Sequence, residues 1–191
     1  MEGILLWCGD NVGFREASGD KSTRAITTIE YEHHEIHGGS HYFIDAVVSR
    51  NINHVFDIQW TTPNTTKEAH FTFDIITSGQ TSWYAYEGAV IAVPGSAVTP
   101  FNSDRNSLKT STQTIALHTA ATVALATAIT ETSAATLFAS GVIGAGRTGG
   151  FVGRDREIIL RQNTIYCFRA VATAAADIGF VVNWYEHTVK P

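Results

Sequence analysis

The feature that most constrains this chain is a succession of short runs in which apolar and polar residues alternate, each run closed by turn chemistry. Phe71-Thr72-Phe73-Asp74-Ile75 is the clearest. A period of two puts every second side chain on one face of a strand, so this segment reads as a half-buried β-strand. Phe43 to Val48, Trp83-Tyr84-Ala85-Tyr86, Glu157-Ile158-Ile159-Leu160, Ile165 to Val171 and Phe180 to Tyr185 are further runs rich in β-branched and aromatic residues. Val55-Phe56-Asp57-Ile58-Gln59-Trp60 alternates less cleanly. Thr62-Pro63-Asn64, Ser78-Gly79, Glu87-Gly88, Val93-Pro94-Gly95, Thr99-Pro100 and Gln162-Asn163 punctuate them. From about residue 29 onward the pattern reads as β throughout. Short strands with frequent turns predict an all-β fold, a single antiparallel β-sandwich of jelly-roll type over 29–191. Residues 1–28 show no sustained periodicity and read as an irregular N-terminal arm, of the kind that wraps neighbours in an assembly or stays mobile.

One segment breaks the pattern. Ser111 to Leu137 is dominated by Thr and Ala. The threonines, stiff at χ1, favour strand over helix. Thr114-Ile115-Ala116-Leu117 and Val123-Ala124-Leu125-Ala126 therefore read as a strand pair with small side chains, suited to close approach near a symmetry axis.

Composition narrows the function. Only 16% of the 191 residues are charged, against 44% hydrophobic, which suggests that a partner covers part of the surface. The net charge of −5 and the lack of any Lys/Arg run argue against nucleic acid as a partner. No apolar stretch is long enough to cross a bilayer, so no membrane partner is expected. Ile4-Leu5-Leu6-Trp7 lacks the positive flank and length of a signal peptide. Cys167 sits in an apolar run and reads as a core residue; with Cys8 as the other cysteine, a disulfide framework is not expected, and a single bridge between the two stays open.

Three groups of residues invite a functional reading. In Glu30-Tyr31-Glu32-His33-His34-Glu35-Ile36-His37-Gly38-Gly39-Ser40-His41, a strand would place His33, Glu35 and His37 on one face. Those are metal-ligand types, but one strand rarely closes around a metal. Gly38-Gly39 would end any helix able to bring His37 and His41 together. Polar strand residues are the preferred reading, and no metal or other cofactor is expected. Gly144-Ala145-Gly146-Arg147-Thr148-Gly149 matches a dinucleotide-binding glycine pattern. Gly150-Phe151-Val152-Gly153 cannot start the helix that pattern needs, so a flexible glycine-rich loop is preferred. No nucleophile elbow and no singled-out carboxylate pair is present, and the chain is not expected to be an enzyme. Asn102-Ser103-Asp104-Arg105-Asn106-Ser107 reads either as a solvated turn held by Asn and Asp side chains or as an interface loop at one end of the sandwich.

Several stretches, taken in order, resemble a group of tailed-bacteriophage proteins of similar length found with head genes. They are Glu32 to Gly39, Thr61-Thr62-Pro63-Asn64-Thr65-Thr66-Lys67, Trp83 to Gly88, Thr99 to Ser107, Arg156 to Leu160 and Trp184-Tyr185-Glu186-His187. In the fourth stretch Ser103 and Asp104 stand where the group has arginine and asparagine, which lowers the positive charge. The resemblance implies an auxiliary head protein, a capsid decoration or cement protein. Such a protein would be made in the host cytoplasm and carried on the outside of the virion head. Its partners would be the major capsid protein and itself, as a homotrimer. An end-loop set including Asn102, Ser103, Asp104, Arg105 and Asn106, together with the N-terminal arm, is expected to face the shell. The competing reading is a carbohydrate-binding β-sandwich of a phage attachment apparatus, with Trp60, Trp83, Tyr84, Tyr86, Trp184 and Tyr185 stacking on sugars. Aromatics in alternating strands are more often core.

Overall fold

A computed structural model describes residues 5–7, 14–16, 31–91, 95–120, 129–130, 135–151 and 156–188. The chain divides into two compact units, Met1–His34 and Glu35–Pro191. In the first, β1 (Leu5–Trp7) pairs antiparallel with β2 (Phe14–Glu16). The rest of the expected arm lies outside the described residues.

The remaining elements follow in order. They are α1 (Tyr31–His37), β3 (His41–Arg50), β4 (Val55–Thr61), β5 (Lys67–Thr77), β6 (Thr81–Glu87), β7 (Val90–Ile91), β8 (Ser96–Val98) and β9 (Phe101–Asn102). Then come β10 (Thr114–Ala120), β11 (Ile129–Thr130), β12 (Thr136–Ile143), β13 (Arg147–Phe151), β14 (Ile158–Leu160), β15 (Ile165–Ala172) and β16 (Ala176–Thr188).

Two antiparallel sheets pack face to face. The first has the order β12-β6-β15-β4-β10-β8; the second has β13-β5-β16-β3-β9, with β14 also on β5. Strands β3 to β6 alternate between the sheets, and so do β12, β13, β15 and β16. Each of the first four pairs with its counterpart from the second: β3 with β16, β4 with β15, β5 with β13 and β14, β6 with β12. A long antiparallel ribbon rolled in this way is a jelly roll. The segment from Gly88 to Ala135, between β6 and β12, is an insertion. It adds β10 and β8 beyond β4 in one sheet, and β9 beyond β3 in the other.

The period-two pattern does what it predicts. Ala69, Phe71, Phe73, Ile75 and Thr77 of β5 point inward, as do Ile178, Phe180, Val182 and Trp184 of β16. They meet Phe56, Ile58 and Trp60 of β4 and Phe168 of β15. Ring centroids lie 4.6 Å apart for Trp60–Trp184, 4.7 Å for Phe71–Phe168 and 5.2 Å for Phe56–Phe180. The indole N–H groups of Trp60 and Trp184 are satisfied: Trp60 Nε1 donates to Gln113 Oε1 at 3.0 Å and Trp184 Nε1 to Glu186 Oε1 at 3.1 Å.

Three expectations need correction. The region after residue 29 is not β throughout, since Tyr31–His37 is helical. His33, Glu35 and His37 therefore do not share a strand face; successive residues are ~100° apart around a helix. Gly39, at φ +67°, then stops it: Gly39 N donates to Ile36 O and Ser40 N to Glu35 O, a glycine C-cap. The glycine-rich run is not a flexible loop. Gly146, at positive φ, turns the chain from β12 in one sheet to β13 in the other, and Gly149 and Gly150 lie in β13, paired with Ile75 and Asp74. The expected strand pair within the Thr/Ala segment does not form as drawn. Residues 114–117 are in β10, but both edges of Ile115–Leu117 are taken by β4 and β8. Residues 123–126 lie outside the described residues.

Candidate functional site

The polar loop after β9 is the best-defined surface feature. β9 pairs with β3, Tyr42 opposite Asn102 and Phe43 opposite Phe101, and this sets the loop's first foot at the sheet edge. Asn102 is buried. Its Nδ2 donates to Gly39 O at 2.9 Å and Lys109 O at 3.1 Å, and its Oδ1 accepts from Asp104 N at 2.9 Å. Asp104 Oδ1 accepts from Asn106 N at 3.0 Å, and Ser107 Oγ from Lys109 N at 3.2 Å. These are the side-chain-to-backbone turns that Asn, Asp and Ser favour. Ser103 N donates to His41 O at 2.9 Å, and Ser103 Oγ lies 2.6 Å from His41 Nδ1. Lys109 Nζ donates to Gly38 O at 2.7 Å.

The second foot is held by Glu186, an inward-facing carboxylate near the end of β16. It accepts from Ser111 Oγ at 2.5 Å, from Thr112 N at 3.1 Å and from Thr112 Oγ1 at 2.7 Å, besides Trp184 Nε1. Its charge and burial raise the Tyr42 hydroxyl to about 12, with burial the larger cause. The loop is thus tied at both ends and along its length before any partner arrives. Ordering entropy that a flexible loop would lose on binding is already lost in folding.

Of the five interface residues expected from sequence, Asn102 is buried scaffold, Ser103 is half-buried with its hydroxyl against His41 of β3, and Asp104 is half-buried and turned onto the loop itself. Arg105 and Asn106 are exposed. Two neighbours join them that the sequence reading left out. Leu108 is 97% exposed, and Phe101 is 50% exposed beneath the Arg105 guanidinium, 5.2 Å from its ring centre. The available signal was Leu108 itself, an apolar residue set in a polar run.

The other candidates resolve differently. Glu35 is buried and takes a hydrogen bond from Ser40 Oγ. Among the described residues no group of three or more His, Cys, Asp or Glu side chains is arranged to hold a metal. Trp60, Trp83, Tyr86, Trp184 and Tyr185 are buried and Tyr84 is half-buried, so these rings form no exposed sugar platform. Cys167 is fully buried; Cys8 lies outside the described residues.

A second polar cluster lies on the outer face of the first sheet. Asp57 and Arg169 face each other across β4 and β15 and are both buried. Arg169 Nε reaches Asp57 Oδ1 at 3.0 Å and Nη2 reaches Oδ2 at 3.1 Å, a bidentate pair. His118 is Asp57's neighbour on β10, with Nε2 3.0 Å from Gln59 Oε1. A few described residues of the insertion come against this sheet. Gly88 N and Ala89 N donate to Ile165 O, Ala89 and Ile91 pack with Tyr86 and Cys167, and the Gly95 backbone lies so close to His118 that a Cβ would sit 2.5 Å from Nε2. Burial holds the His118 imidazole below its usual pKa. The unfolded chain then takes up this proton more readily than the folded one. Stability from His118 is fully present above the ordinary imidazole value of ~6.5 and falls as the pH drops below it. In urea titrations from pH 8 to pH 5, His118→Gln should show a shallower acid loss than the parent protein. Identical slopes would mean that His118 is not the group responsible.

No family model, curated protein or solved structure matches the chain. No helix among the described residues is long and apolar enough to cross a membrane.

Proposed function

We propose that this protein is a structural component of a tailed-phage head, seated outside the shell and bridging neighbouring copies of the major capsid protein as a homotrimer. The observation that carries the reading is the pre-tied loop from Phe101 to Lys109, which offers Arg105, Asn106 and Leu108 as a preformed contact between the proteins of an assembly. Alongside it stands the ordered resemblance to head-associated proteins. Of the six aromatic residues that would serve a sugar-binding module, five are buried and Tyr84 is half-buried, which favours the contact-loop reading over carbohydrate attachment. The physics of such a role is linkage. A protein that binds the assembled shell but not free subunits shifts the equilibrium toward the shell. Several weak contacts made at once hold firmly without one strong site. Heads lacking this protein should release DNA at lower temperature, or under milder osmotic shock, than complete heads. Adding the purified protein back should restore resistance. Equal robustness with and without it would refute the proposal.

A further inference from the structure

The outer face of the second sheet carries a pattern that neither the core nor the loop explains. On adjacent strands Val47, Gly179 and Ile76 stand side by side in register across β3, β16 and β5. Val47 is 72% exposed and Ile76 48%, and Gly179 between them has no side chain. The result is a groove of about 400 Å³. The next row along the same strands is Asp45, Val181, Asp74. On the other side lies Asp177, which accepts from Ser49 Oγ at 2.5 Å. Carboxylates therefore flank the apolar row on both sides, with Arg147 the cation at the rim. Asp74 Oδ1 is buried and has no hydrogen-bond partner among the described residues. A carboxylate oxygen in that state is costly unless a donor reaches it. Burial accordingly raises the Asp74 carboxyl above its usual range.

The chain carries the complement of this groove. Leu108, almost fully exposed, has Arg105 three residues before it and Lys109 directly after it. An apolar knob between cations matches an apolar slot between carboxylates in both shape and sign. The knob cannot fill the groove of its own chain. Its foot is fixed at β9 against Tyr42, five residues along β3 from Val47, or ~17 Å at strand rise.

We infer that the loop's partner is the outer sheet face of a second copy of this chain, with Leu108 seated on Gly179 between Val47 and Ile76. This rests on the reading of residues 101–109 as a contact loop and names what it contacts. Because knob and groove are different patches, the contact is head-to-tail, and such a contact closes into a ring when the rotation allows. A ring of three is the homotrimer proposed above.

The test uses two variants of the full chain at exposed positions, Leu108→Glu, which spoils the knob, and Val47→Arg, which spoils the groove. The parent protein should sediment at about three times the 20.7 kDa chain mass. Each variant alone should keep the parent's melting temperature and sediment as a monomer. Mixed in equal amounts they should form a dimer and stop there, since only the knob of Val47→Arg and the groove of Leu108→Glu remain intact. A monomeric parent protein, variants that still form the parent oligomer, or a mixture that stays monomeric would each overturn the inference. The head-stability measurement is separate. If heads gain no robustness from a protein whose variants behave as described, the decoration reading falls and the contact stands. If a monomeric parent protein still protects heads, the reverse holds.

Discussion

Replacing Trp60 by alanine should cost about 3–5 kcal/mol, enough to bring a domain of this size close to unfolding. Trp60 is fully buried where the two sheets meet, edge-on to Phe71 at 4.8 Å and to Trp184 at 4.6 Å. Two terms add. The indole's transfer energy is lost, and a cavity remains, because rings held on two hydrogen-bonded sheets cannot collapse into it. A third term follows from Gln113, itself buried, whose Oε1 loses the indole N–H. Urea titration of Trp60→Ala should show a much lower midpoint with an unchanged slope. Trp60→Phe should fall between, since it keeps most of the packing and loses the hydrogen bond. A Trp60→Ala midpoint within experimental error of the parent would mean that the two sheets do not share this core.

The second large effect is expected at Asp57. Removing its carboxylate by Asp57→Ala leaves Arg169 buried without its bidentate partner. Losing one member of a buried ion pair costs about 3–5 kcal/mol. The pair itself is a different matter. Desolvation of both ions offsets most of their attraction, so Asp57→Leu combined with Arg169→Met should be far milder than either single change. The measurement is a double-mutant cycle in urea. Single and double variants that lose stability in simple addition would show that the two side chains are not coupled, contrary to the 3.0 Å and 3.1 Å contacts between them.

The same residues explain how much of the fold the sequence disclosed. Strand β5 announced itself because one face is core and the other solvent, so burial alternates cleanly along it. β4 was harder to read because both of its faces are covered. Val55 and Asp57 are as buried as Phe56 and Ile58, and a strand buried on both sides does not alternate. The described residues that come against that side of the sheet, Ala89, Ile91 and Gly95, meet Cys167 and His118 through contacts mostly distant in sequence. The helix at Tyr31–His37 was hidden by its length, under two turns, too short for a 3.6-residue period to show. Its stop signal at Gly38-Gly39 was visible.

The loop from Phe101 to Lys109 was half legible. Its Asn, Asp and Ser residues foretold turns, and the structure ties them as expected. Which residues face outward was not legible, because that depends on tethers to Gly38, Gly39 and Glu186, up to 75 residues away in the chain. Hence Asn102, singled out as an interface residue, serves as the scaffold, while Leu108 stands in solvent.

The central claim is that this protein binds assembled phage heads, and sedimentation tests it most directly. Purified protein is mixed with heads that lack it, and with tails separately, over a range of concentrations, and each mixture is spun through a density step. The account predicts that protein travels with the heads, saturates at a fixed number of copies per head, and leaves the tails unlabelled. Protein that remains at the top of the gradient at every concentration, or that travels with tails alone, would contradict it.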